Sequence, residues 1–68
     1  MINISKFEKK VEEANMSIEA LALKIGIDKL TMYEKLKGDG KEFSVNEVVI
    51  IVRELKLDMD EINEIFFE

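Results

Sequence analysis

The chain contains no cysteine, no proline and no histidine in 68 residues, and only three glycines. Without cysteine or histidine there is no thiolate nucleophile, no imidazole base, no zinc-finger ligand set and no disulfide framework, so the fold must rest on an apolar core. No cofactor and no metal site is expected, and no small-molecule substrate. Nor does any apolar run approach the roughly 20 residues that a membrane-spanning helix needs. The opening M-I-N-I-S-K-F-E-K-K carries charge early and lacks the apolar centre of a secretory signal, which makes a cytoplasmic location the expectation. One domain spanning residues 1–68 fits this length, and a core so small raises the value of self-association as a second source of buried area.

Charge is abundant but unevenly placed. The formal net charge is −5, which argues against a phosphate-rich partner, because such binding is driven by Lys and Arg displacing counterions. The acidity, however, is mostly C-terminal: residues 42–68 hold Arg53 and Lys56 against eight acids. From Lys24 to Lys41, five lysines face only Asp28, Glu34 and Asp39. The middle of the chain is therefore mildly basic.

Capping signals and apolar spacing predict an all-α chain of five helices. Ser5 with Glu8, Ser44 with Glu47, and Asp58 with Glu61 each put a capping side chain three residues before a glutamate, the spacing of a capping box. The first helix, about Lys6 to Asn15, carries Phe7, Val11 and Ala14 on one face. The fourth contains V-V-I-I-V, a β-branched run that also suits a strand. The S-V-N-E box before it, the R-E-L-K that follows, and the stripe Val45, Val48, Val52 and Leu55 favour helix. The last helix, about Met59 to Phe67, places Met59, Ile62 and Phe66 together. Phe7, Leu21, Ile25, Met32, Leu36, Val48, Val52, Leu55, Ile62 and Phe66 form the expected core.

Residues 17–37 read S-I-E-A-L-A-L-K-I-G-I-D-K-L-T-M-Y-E-K-L-K. Ile18, Leu21, Ala22 and Ile25 share one helical stripe, and Met32 and Leu36 make an i, i+4 pair on a second helix. Gly26 between them tolerates the left-handed conformation that ends a helix, and Asp28 stands where it can cap the next. This segment, with the F-S-V-N-E start of the fourth helix and the ending E-I-N-E-I-F-F, resembles the Cro/CI-type, XRE-like helix-turn-helix family of phage and bacterial repressors, over nearly the whole chain. The resemblance implies a compact, lambda-repressor-like five-helix bundle with the second helix over the DNA backbone and the third in the major groove. It also implies a homodimer that reads a two-fold-related site on double-stranded DNA.

Carried over residue by residue, the resemblance puts base contacts at Lys29, Leu30 and Glu34, and a helical wheel adds Thr31, which with Leu30, Glu34 and Lys37 faces away from Met32 and Leu36. Lysine can donate to guanine O6 and N7, leucine can pack on a thymine methyl, and a carboxylate can accept from cytosine N4. Backbone contacts fall on the amides at Ser17 and Ile18 and on Lys35, Lys37 and Lys41. Ile50, Ile65 and Phe67 are the expected dimer contacts, with Ile50 and Phe67 out of register with the apolar faces of their helices. The acidic C-terminal part, Leu30 and Glu34 also suit an alternative, a helix-turn-helix fold turned to protein binding as an antirepressor or DNA mimic. The carboxylates Asp58, Asp60, Glu61 and Glu64 lie along one short helix without convergent partners, so an enzyme is not expected.

Overall fold

The computed structural model describes residues 2–38 and 42–67. Five α-helices follow one another: α1 (Ile4–Glu13), α2 (Ile18–Ile25), α3 (Lys29–Lys37), α4 (Val45–Leu55) and α5 (Met59–Ile62), the last running on into a π-helical turn over Asn63–Phe67. Among the described residues there is no strand. The β-branched run of α4 is helical because packing on one face outweighs its weak propensity.

Three connectors are built alike. Asn15-Met16-Ser17, Gly26-Ile27-Asp28 and Lys56-Leu57-Asp58 each begin with a residue at positive φ, 57°, 90° and 53° in turn. The residue after it sends its N–H back to the carbonyl of Val11, Ala22 or Val52, at 3.1, 3.0 and 3.0 Å. This closes the helix with the bond pattern of a Schellman motif. Met16 and Ile27 then pack against the core, and Leu57 is part of it. The third residue of each connector caps the next helix through its side chain. One left-handed residue, one apolar plug and one cap thus turn the chain in three residues.

Expectations for the caps held at Ser44 with Glu47 and at Asp58 with Glu61, where both arms of the capping box form. The Ser5–Glu8 box does not form. Helix α1 starts earlier, and Asn3 caps it by accepting from the Lys6 amide at 3.2 Å, which leaves Ser5 inside the first turn.

The core consists of Phe7, Val11, Leu21, Ala22, Met32, Leu36, Ile51, Leu55, Leu57 and Ile65. Ile25, Val52, Ile62 and Phe66 are half-buried at its margin, and Val48 is half-buried too. Two members of the expected apolar stripes are instead wet: Val45 is 81% and Met59 78% exposed. Both are the first residue of a helix, where the side chain projects beyond the packed face. The apolar stripe of α4 is Val48, Ile51, Val52 and Leu55, centred on the fully buried Ile51. A radius of gyration of 10.7 Å matches the roughly 11 Å of a fully compacted chain of this length.

The two kinds of left-handed residue make opposite predictions. A Cβ added at Gly26 would meet nothing within 4 Å, so Gly26→Ala should destabilise only through backbone strain, by about 1–2 kcal/mol. Lys56 already bears that strain on an exposed side chain, and Lys56→Gly should stabilise by up to about 1 kcal/mol. Thermal denaturation of both variants reads the two signs, and equal signs would show that other contacts dominate these turns.

Candidate nucleic-acid interface

The unit formed by α2 and α3 is fixed by its ends. Ser17 Oγ accepts from the Ala20 amide at 3.0 Å, and Asp28 Oδ1 accepts from the Thr31 amide at 2.7 Å. Small, buried Ala22 precedes the Gly26 turn by one helical turn and lets the two helices approach. Met32 and Leu36 drive the inner face of α3 into the core. That helix packs principally on α2, whereas α2 also packs on α1 and α4. The outer face of α3 is consequently open to solvent.

Of the expected base-contacting residues, Lys29 and Leu30 stand out in solvent at the start of α3, and Leu30 is 68% exposed. Thr31 and Glu34 are half-buried. Lys29 is not a bare cation: its Nζ lies 3.1 Å from Glu19 Oε2 on the first turn of α2. The hydrogen bond from Lys29, added to one from its own backbone amide, holds the Glu19 carboxyl below the usual range, its own amide contributing most. The same bond to Glu19 raises the Lys29 ammonium.

Among the expected backbone contacts, Ser17 and Ile18 open α2, where the first N–H groups have no intrahelical acceptor. Lys37 is exposed at the end of α3. Lys41 lies outside the described residues. Lys35 must be withdrawn from the set. Its Nζ donates to both Glu47 carboxylate oxygens, at 2.6 and 2.8 Å, and sits 5.8 Å from the centre of the Phe43 ring. Both partners' side chains are only 14% exposed. Sequence spacing places Lys35 one position from the solvent face of α3, but the carboxylate across the α3–α4 junction is a tertiary partner that periodicity does not reveal. Lys24, near the end of α2, was not singled out from sequence, yet it is exposed and forms no ion pair among the described residues.

The expected dimer contacts separate as well. Phe67 is 75% exposed, Ile50 is half-buried, and Ile65 is buried at 1% within the core. Ile65 is thus unavailable to a second chain. Three residues after Ile62, Ile65 lies on the apolar side of the last helix, so its burial follows the spacing of the C-terminal segment and not the dimer contact expected of it. Beside Phe67 an open groove of about 270 Å3 is lined by Ile2, Phe43, Val48 and Phe66, with Lys35 and Glu42 at its polar edge. A second groove, of about 310 Å3, runs between α1 and the C-terminal turn, where Lys10 bridges Glu13 and Glu61 and Lys6 pairs with Glu64.

No helix is long and apolar enough to cross a membrane, and the described residues hold no cluster of three or more potential metal ligands. No family model, curated protein or solved structure matches the chain.

Proposed function

We propose that the chain is a sequence-specific DNA-binding transcriptional regulator in which α2 and α3 act as a helix-turn-helix of the Cro/CI type. The observation that carries this reading is the posture of α3. Met32 and Leu36 anchor one side of it, and a capped N-terminus presents Lys29 and Leu30 in solvent. A helix held this way enters a major groove of about 12 Å without the domain having to open. Lys29, Leu30, Thr31 and Glu34 are the base-reading set in this proposal. Lys37, Lys24 and the first amides of α2 are its phosphate contacts. A homodimer joined near Phe67 and the groove beside it would give the two-fold symmetry of a palindromic site.

Selection of duplexes from a random-sequence pool, followed by salt-titrated binding and sedimentation of the complex, tests this reading. Lys37→Ala is expected to weaken specific and non-specific binding alike and to lower the salt slope by about one. Lys29→Ala should cost about 1–3 kcal/mol at one base pair. A pool that yields no preferred sequence even at low salt would overturn the assignment.

A second reading has its own observation. Leu23 is 80% and Leu30 68% exposed on the same helix pair, Lys35 is neutralised by Glu47, and the chain carries a net charge of −5. An apolar, weakly charged face of this kind suits a protein partner, so that the fold would serve as an antirepressor or DNA mimic. Glu34→Gln separates the two. It relaxes base preference if Glu34 reads cytosine, and it raises non-specific DNA affinity if Glu34 belongs to a DNA-excluding surface.

A further inference from the structure

We infer that Glu19 is a positioning residue for Lys29 and sets the specificity of the reading helix, by making the Lys29 ammonium donate to a neutral base edge in preference to a phosphate. The inference rests on the DNA-binding reading above and extends it to a residue on the preceding helix.

The geometry begins with two helix ends. Glu19 occupies the first turn of α2, where its own amide and the positive end of the helix favour a carboxylate. Lys29 is the first residue of α3, where the same polarity disfavours an ammonium. The 3.1 Å pair joins them across the Gly26 turn and removes the conflict at Lys29. Both side chains remain accessible, at 64% for Lys29 and 47% for Glu19, so the pair lies on the surface that α3 presents.

Such a pair distinguishes its acceptors by charge. A phosphate drawn to Lys29 is an anion, and it meets the Glu19 carboxylate a few ångströms away. The guanine edge offers O6 and N7 without net charge, so it gains from the ammonium and is not repelled by the carboxylate. Glu19 therefore lowers the sequence-independent attraction of Lys29 while leaving its base contact intact. It also limits the rotamers of a long, flexible side chain before binding, which leaves less entropy to lose in the groove.

Four proteins test this: the parent, Glu19→Gln, Lys29→Ala and the double variant, each titrated with salt on a selected duplex and on a duplex of unrelated sequence. Glutamine keeps the length of the side chain and an oxygen acceptor while removing the charge. In the Lys29 background, Glu19→Gln is expected to steepen the salt slope on unrelated DNA by about one. It should also reduce the preference at the base pair read by Lys29 about tenfold. Both changes should vanish in the Lys29→Ala background. If they persist there, Glu19 acts as a free-standing anion and the inference fails. If the parent selects a site and Glu19→Gln matches it in slope and preference, the inference fails while the DNA-binding reading stands. A parent that selects no site removes both. Thermal denaturation is the control for folding, and an exposed pair of this kind should leave it nearly unmoved.

Discussion

Phe7→Ala is expected to remove most of the folded population. Phe7 is fully buried on α1, the helix that packs on α2, α4 and the C-terminal turn, and it shares one core with the equally buried Leu21, Met32 and Ile51. Truncating a core phenylalanine costs about 3–5 kcal/mol in transfer and cavity terms. A chain of this size has roughly 3–10 kcal/mol of total stability, so the loss is of the same order as the whole. Urea denaturation followed by circular dichroism reads it directly. A decrease under about 1 kcal/mol would mean that α1 is not integral to the core. Ile51→Ala should also cost more than Val52→Ala, because Ile51 is at 0% exposure and Val52 only half-buried.

The contrast between Ile51 and Val52 indicates what the sequence could and could not convey about the fold. Helix existence is legible, since caps at Asp28, Ser44 and Asp58 are local chemistry and need no tertiary information. The inward pair Met32 and Leu36 was legible too, because polar residues flank it on α3. Helix α4 is different. With V-V-I-I-V apolar on every side, the pattern fixes its rotational phase only loosely, and the stripe Val45, Val48, Val52 and Leu55 leaves out Ile51, the residue that packing buries most deeply. Packing against α1 and α2 decides that phase.

The candidate interface divides in the same way. Exposure of Lys29 and Leu30 follows from their place at the capped start of α3, a local property. The fate of Lys35 does not: it depends on a carboxylate 12 residues away in sequence, a tertiary partner that draws it from the contact spacing alone would assign. Ile65 is a different case, because it stands three residues from Ile62 on the apolar side of the last helix, and its burial agrees with that spacing.

The Lys35–Glu47 pair is expected to produce the second large effect, with a sign that depends on pH. Burial pushes the Glu47 carboxyl up, but the Lys35 ammonium and the Ser44 amide outweigh it and leave it below its ordinary value of 4.5. A carboxyl depressed by folding contributes stability that is complete above the unfolded value and lost as pH falls through the folded one. In the parent this loss therefore begins below about pH 4.5. Lys35→Met removes the partner and leaves a largely enclosed carboxylate, which should cost about 3 kcal/mol at pH 7. With Lys35 gone, burial acts on Glu47 against the Ser44 hydrogen bonds alone and its folded value moves upward, so lowering the pH costs the variant less stability than it costs the parent. The stability gap between them should narrow steadily from pH 7 towards pH 4. In Lys35→Met with Glu47→Gln, the amide oxygen can still accept from the Ser44 N–H, no buried charge is left, and most of the loss should be recovered. A gap that is independent of pH, or a double variant no better than Lys35→Met, would show that Lys35 acts through its packing on Phe43 and not through its charge. Recovery in the double variant would mean that the α3–α4 junction needs no charge at Lys35, only the absence of an unpaired carboxylate at Glu47.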